Sequence, residues 1–460
     1  MKKVVIFGTG KLFEKLFPRI SSDVDVIALI DNDSKKWEMK LHNIPVYSPD
    51  YALQLAYDYI YIMISKYCEV RKQLRKIGVD EYKIYDISRG ELIVSPSPVV
   101  YYQAEVNENA KKGHRILVIS HALSSTGAQN VLFTAVSSFL RRGYRVTVLS
   151  LDDGIQRDKY VQMGSNVVIS GDILSHDEEW RKLVNNSDFI WVNTIWMYNY
   201  VYTLCLYDKP VVWWLHETLE SDLIPHYMIS TINCNDNINL YAVSRLVRRQ
   251  FQGLFILKNI NVFEYGIPKY EMPYVKHKNT KIVFAMIGGL SESIKGQDIF
   301  LKAVEKLSDS DKNKASFLII GGGELNSHSM ALIDKLECVD LKGEIPHERI
   351  PELYAMIDVV VCASRKEALS VVITEAFMNG KFVIVSSSAG NVDYMVPYED
   401  GLVFQSENID ALAKQIHWTI EHGTDVERMG QNSRRVYEQY FSMEIFEKRL
   451  EEILSIYIKG

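Results

Sequence analysis

Short apolar strands alternate with helix-length segments along almost the whole chain, and that alternation admits little besides a parallel α/β architecture. Three blocks carry it. The first runs from "KKVVIFGTG" through "VIALIDND" and "DYIYIMIS" to "KIYDIS" and is assigned residues 1–94. The stretch 95–113, "SPSPVVYYQAEVNENAKKG", has prolines, polar residues and no period, and reads as a linker. The second block, 114–275, opens on "RILVIS" and continues through "YRVTVLSL", "DFIWVN", "PVVWWLH" and "NLYAVS". The third, 276–460, opens on "KIVFAMIGG" and adds "SFLIIGG", "VDLKG", "DVVVCAS" and "KFVIVSS"; its amphipathic last helix is expected to pack back on the second block. A chain of 460 residues is long enough for three such units.

Composition removes several classes of function. Hydrophobic residues at 47% and charged residues at 24% are globular values. A net charge of −6 argues against a nucleic-acid binder, which needs a basic face. Cys68, Cys205, Cys234, Cys338 and Cys362 are odd in number and without CxxC spacing, which suits reduced thiols in the cytoplasm. The most membrane-like window, "FIWVNTIWMYNYVYTLCLY" at 189–207, contains Asn193 and Asn199 and ends at Asp208-Lys209-Pro210. It is read as a buried strand and a buried helix, with peripheral membrane contact left open.

In open α/β sheets, ligands bind beyond the carboxyl ends of the strands. The unusual residue clusters fall there. "RKEALSVVITEAFMNGKFVIV", 365–385, leaves a strand, places Glu367 on a loop and Ser370 at a helix N-cap, and carries Glu375 into the helix. Spacing alone does not make the glutamates a pair, since Glu344/Glu352, Glu399/Glu407 and Glu444/Glu452 share it. A helix start, however, presents N–H groups to an anion, and carboxylates beside it suit hydroxyl recognition. A nucleotide sugar combines those needs.

With that context, "SRKEALSVVITEAFMNGKFVIVSSSAGNVDYM" resembles the signature of family 4 retaining glycosyltransferases. The resemblance, spread over residues 115–455, implies the GT-B fold: two facing Rossmann-like domains, here preceded by a small additional Rossmann-like domain. It implies that Glu367 meets donor-sugar hydroxyls, Glu375 the ribose, and backbone groups around Leu369, Ser370 and Val371 the sugar or diphosphate. "MIGGLSESIKGQD" places Gly289 and Lys295 after a strand, Lys295 to neutralise the diphosphate. "SFLIIGGGE" places Gly322, and "VDLKGEI" places Glu344 and Ile345, beside the base and diphosphate. In the second block, Gly127 opens a helix after Ser125 and Thr126, and His216 ends a strand where it would face the donor sugar. Ala368 and Ser370 stand where the family often has glycine, and Gly289 where many relatives have an arginine; Arg245 and Arg248 are the alternative cations.

The resemblance further implies transfer with retention from a nucleotide diphosphate sugar, UDP-sugar first, to a hydroxyl on a glycan, a lipid-linked acceptor or a protein. No cofactor and no metal are required, and nucleic acid is not a partner. The setting would be assembly of bacterial surface polysaccharide, glycolipid or glycoprotein, in the cytoplasm or at the inner face of the membrane. The first block offers Gly8, Gly10 and Asp31 as an accessory nucleotide site, but Phe13 fills the third glycine position of that fingerprint. A homo-oligomeric or partner-binding role is the alternative for this block. For the whole chain, the alternatives are a phosphorylase or epimerase of the same fold, or a non-catalytic binding or scaffold subunit.

Overall fold

A computed structural model describes residues 2–20, 24–64, 67–80, 83–86, 98–104, 113–219, 223–270 and 281–458. The chain divides into two compact units. One holds Met1–Gln129, Phe139–Trp213 and Leu219–Ile238; the other holds Asn130–Ser138, Trp214–Thr218 and Asn239–Gly460.

In the first unit, the N-terminal sheet has the strand order Lys40–Leu41, Ile44–Tyr47, Val24–Ile30, Lys2–Phe7, Tyr59–Ile62, Ile84–Asp86. All neighbours are parallel except the first pair. A second set of strands in this unit runs Phe189–Asn193, Arg115–Ala122, Arg145–Asp152, Asn166–Ile169, Val100–Tyr102. The last of these lies inside the stretch read as a linker and pairs antiparallel with Asn166–Ile169. Its "VYY" has the β-branched and aromatic content of an edge strand, but three residues give no period to detect. The apolar window at 189–207 resolves into the strand Phe189–Asn193, one 3-10 turn and the helix Tyr198–Leu204. No helix among the described residues is long and apolar enough to cross a membrane.

In the second unit, six parallel strands run Val339–Gly343, Ala315–Ile320, Ile282–Ile287, Val359–Cys362, Phe382–Ser386, Leu402–Phe404. In chain order this is 3-2-1-4-5-6, the doubly wound arrangement, and the winding reverses between Ile282–Ile287 and Val359–Cys362. Every residue of Val359–Cys362 and Phe382–Ser386 is buried, as expected of parallel strands covered on both faces. Phe284, Phe300 and Phe317 fill one side of the sheet, the rings of Phe284 and Phe317 stacked at 5.1 Å. The last helix, Met443–Tyr457, is capped by Ser442 and packs on earlier parts of the same unit. Phe446 stacks on Phe263 at 5.1 Å, Arg449 bonds Glu264 at 2.6 Å, and the Ser138 hydroxyl donates to Glu447 at 2.6 Å.

Candidate active site

The winding reversal brings two loops of the second unit side by side. After Ile282–Ile287, the chain passes Gly288 and Gly289 into the short helix Glu292–Lys295. After Val359–Cys362, it passes Ser364–Ser370 into the helix Val371–Met378. Lys295 Nζ and Glu367 Oε2 meet across this junction at 2.5 Å. The Ser364 hydroxyl is 3.4 Å from the same oxygen. Burial works to lower the Lys295 pKa, but the charge and hydrogen bond of Glu367 override it, and the net shift is upward. Lys295 is therefore held charged against Glu367 before any diphosphate arrives.

The loop carrying Glu367 is fixed through four successive carbonyls. The oxygen of Glu367 accepts from Gly390 N at 2.9 Å, that of Ala368 from Ser244 Oγ at 2.7 Å, and that of Leu369 from the Tyr265 hydroxyl at 3.2 Å. The Ser370 oxygen accepts from Thr374 Oγ1 at 3.0 Å and Asn391 Nδ2 at 3.2 Å. Ser370 caps the helix, its hydroxyl accepting from Ile373 N at 3.4 Å. Its own N–H, expected to face the sugar or diphosphate, is donated to Asn391 Oδ1 at 2.7 Å and so shapes the loop instead. Fully buried Asn391 was not singled out in the sequence; only its place in the "AGN" turn after a strand hinted at it.

Arg365 is a second residue that sequence reasoning missed. Its guanidinium bonds both oxygens of Asp298, at 2.7 and 3.0 Å, together with Glu407 Oε1 at 2.6 Å and the Glu292 carbonyl. Its backbone N–H donates to the Ile294 carbonyl at 2.7 Å. Bidentate pairing of this kind fixes geometry as well as charge. Arg365 thereby ties the Glu367 loop to the helix that ends in Lys295.

Glu375 lies in the second turn of the capped helix, its carboxyl packed among tyrosines. Burial pushes its pKa up to about 7, against the Tyr354 hydroxyl, which donates to Oε2 at 3.0 Å and favours the charged form. Gly289 has open space where a Cβ would stand, with the Gly322 carbonyl 3.9 Å away, and a Cβ on Gly322 would lie 3.0 Å from Glu344 Oε2. Gly289, Gly322 and exposed Glu344 are thus neighbours, with half-buried Ile345 next in the chain. The glycine run approaches the backbone of the preceding loop closely: a Cβ on Gly321 would stand 1.9 Å from the Gly288 oxygen, at φ +156°. Gly321→Ala is expected to destabilise the fold by about 2–4 kcal/mol through this backbone clash, measurable by denaturant unfolding.

Other expected residues come from other segments. His216 follows the buried strand Val211–Leu215, with its ring 4.3 Å from that of Trp214. Gly127, in the first unit, is the exposed first residue of the helix Gly127–Arg141. Arg245 donates to the Asp393 carbonyl and lies over the rings of Tyr394 and Tyr440, while Arg248 is exposed. In the N-terminal sheet, Gly10 precedes a six-residue helix, and a Cβ on Gly8 would strike Ile64 at 2.0 Å. Asp31 accepts from Thr9 N at 3.1 Å, from the Thr9 hydroxyl, and from Lys36 Nζ at 3.0 Å. Thr9 and Lys36 thus share the Asp31 carboxylate.

Comparison with known proteins separates the same segments. Residues 271–436 match the family described as Glycosyl transferases group 1, and residues 112–234 match Glycosyl-transferase family 4. The chain carries a glycosyltransferase group 1 domain and a glycosyltransferase family 4 domain. The loops bearing Lys295, Glu367 and Glu375 all lie within its group 1 domain. Residues 1–85 match the C2185-like N-terminal family, so an additional domain precedes the glycosyltransferase domains. Anabaena Alr3699/HepE, solved in complex with UDP and glucose, has a TM-score of 0.61 at 18% identity, covering 75% of this chain and 100% of that one. A glycosyltransferase from Rickettsia africae ESF-5 has a TM-score of 0.63 at 16% identity, covering 76% and 100%. At such identities the likeness is one of fold, and the fold is GT-B. Spore coat protein SA of Bacillus subtilis (strain 168) is 29% identical over 191 residues, which are 39% of this chain and 49% of that protein. The chain spans about half the length of that curated relative.

Proposed function

We propose that the protein is a retaining glycosyltransferase that moves a sugar from a nucleotide diphosphate sugar to a hydroxyl acceptor. The observation that carries this reading is the meeting of Lys295 and Glu367 at 2.5 Å where the sheet reverses its winding, beside the Ser370-capped helix that bears Glu375. The helix start and Lys295 would hold the diphosphate, Glu367 the sugar hydroxyls and Glu375 the ribose diol. Gly289, Gly322, Glu344, Ile345, Leu369 and Val371 would border the nucleotide, with His216 and Gly127 towards the sugar. UDP is the first candidate nucleotide, because Anabaena Alr3699/HepE was solved with UDP and glucose. No metal or other cofactor enters the reading.

In the reaction, the acceptor oxygen bonds to the anomeric carbon as the bond from that carbon to the diphosphate oxygen breaks. Retention follows if both occur on one face, the acceptor proton passing to the departing diphosphate. Lys295 would stabilise the charge developing on that leaving group. Its ammonium has three N–H donors, so it can turn to the diphosphate those that Glu367 does not use. Assembly of surface glycans is the proposed setting.

Thermal unfolding against a panel of nucleotides tests the donor side. UDP and UDP-glucose are expected to raise Tm by several degrees at a hundredfold excess over Kd, corresponding to about 2.7 kcal/mol of added stability. Lys295→Met is expected to abolish most of that rise. A panel in which no nucleoside diphosphate stabilises the protein would sink the reading. Consumption of inorganic phosphate instead of transfer would favour a phosphorylase.

A further inference from the structure

The first unit holds a cavity of about 270 Å³ at the amino ends of its second set of strands. Arg115, Arg145 and Asn166, which begin the strands Arg115–Ala122, Arg145–Asp152 and Asn166–Ile169, line it. Lys182, from the helix Asp177–Asn185, and Asn186, just after that helix, line it from above the sheet. Tyr101, on the edge strand Val100–Tyr102, closes one side. The crevice in which open α/β sheets hold their ligands lies beyond the other ends of such strands, so this cavity is a separate feature of the fold.

Its charges do not balance. Three cations line the cavity and no carboxylate does. Arg115 and Arg145 are register partners on adjacent parallel strands, so their side chains leave the sheet on the same face. Like charges set side by side in this way cost stability unless an anion answers them. Asp188 answers Arg115, accepting from its N–H at 2.7 Å and lying 3.4 Å from its guanidinium. Lys182 reaches Glu179 at 3.9 Å, and that carboxylate also accepts from the Tyr101 hydroxyl. Arg145 is exposed and has no ion pair among the described residues.

The rest of the wall suits a small polar carrier of an anion. Asn166 Oδ1 accepts from Ala104 N at 3.1 Å, which leaves the amide nitrogen to donate into the cavity. Asn186 adds a second amide. Tyr101 is 47% exposed, yet its hydroxyl is fastened to Glu179, so its ring is in place before any ligand arrives. Pockets for drug-sized ligands run from about 300 to 1,000 Å³, and this cavity falls just below that range. A hexose carrying one phosphate is a ligand of that size.

We propose that the cavity binds a sugar phosphate. The phosphate lies among Arg145, Arg115 and Lys182, the hydroxyls meet the Asn166 and Asn186 amides, and a C–H face of the sugar packs on Tyr101. The proposal goes beyond the transfer reading and does not depend on it. A guanidinium takes a phosphate through two parallel hydrogen bonds, so unpaired Arg145 carries the largest share of the binding. The strand Val100–Tyr102 pairs with its neighbour over three residues, and a ligand held between Tyr101 and Arg145 adds to what fastens it.

Titration calorimetry of the full chain with glucose 6-phosphate, glucose and inorganic phosphate tests the proposal. Glucose 6-phosphate is expected to bind at least about tenfold more tightly than either of the others. Arg145→Gln, at an exposed position, should weaken that binding about tenfold or more, and Tyr101→Ala severalfold. Lys295→Met should leave it unchanged, and Arg145→Gln should leave the rise in Tm produced by UDP unchanged. Amide hydrogen exchange at residues 100–102 should slow on addition of glucose 6-phosphate in the wild type and not in Arg145→Gln. Absence of saturable binding, inorganic phosphate binding as tightly as the sugar phosphate, or unaltered affinity in Arg145→Gln would overturn the proposal. Loss of binding in Lys295→Met would also overturn it, by placing the ligand at the donor loops. A missing UDP response in the wild type would count against the transfer reading alone.

Discussion

Glu367→Gln is expected to lower the turnover number for sugar transfer by about a hundred- to a thousandfold while the protein remains folded. That corresponds to about 3–4 kcal/mol of lost transition-state stabilisation. Glutamine keeps the shape of the side chain but removes the charge that holds Lys295 and would accept from the donor hydroxyls. The four carbonyl contacts that fix the loop are made by its backbone and are untouched. UDP affinity should not fall with turnover. Lys295, released from its partner, is free to pair with phosphate, so UDP should bind as well or up to about tenfold better. Turnover within about twofold of wild type, or a parallel loss of UDP binding, would assign Glu367 a different role.

The second large effect concerns Glu375 and pH. Its folded pKa is about 7, raised from an ordinary 4.5 by burial. For a carboxyl raised on folding, the protonated form is the one the fold favours. Its stabilising contribution is therefore complete below about 4.5 and is lost as pH rises towards 7, with a plateau above. The full loss corresponds to about 3 kcal/mol. Glu375→Gln, which cannot ionise, escapes it. The difference in unfolding free energy between variant and wild type should thus grow in favour of the variant between pH 5 and pH 8. Denaturant titrations at those two pH values measure it, and a difference independent of pH would show that Glu375 ionises as an ordinary glutamate. The same variant should bind UDP more weakly at pH 8, where the ribose would otherwise meet a carboxylate.

How far the sequence revealed these arrangements depends on the kind of contact involved. The strands of the last sheet were legible as apolar runs, since parallel strands buried on both faces read as unbroken hydrophobic segments, whereas their order, 3-2-1-4-5-6, was not. Ser370 was recognisable as a cap because capping is local, a hydroxyl three residues ahead of the N–H it meets. The partners of the loop were not recognisable: Ser244 and Tyr265 lie more than a hundred residues before Ala368 and Leu369. Arg365 looked like one cation in a charged "SRKE" run, and its bidentate partner Asp298 comes from the other side of the winding reversal. Lys295 was legible as a residue that follows a strand, but the short helix that carries it and its ion pair with Glu367 needed coordinates. In the N-terminal sheet, Gly8 and Asp31 could be singled out from the sequence, but their neighbours Ile64, Thr9 and Lys36, which come from other segments, could not.

The fastening of residues 367–370 also bears on engineering. Donor preference cannot be moved between relatives by grafting the short signature alone, since a transplanted segment would leave its peptide oxygens behind without Ser244, Tyr265, Gly390 and Asn391 to anchor them. A chimera would have to carry those anchors along, and its breakpoints belong ahead of Ser244, not at the start of the last sheet.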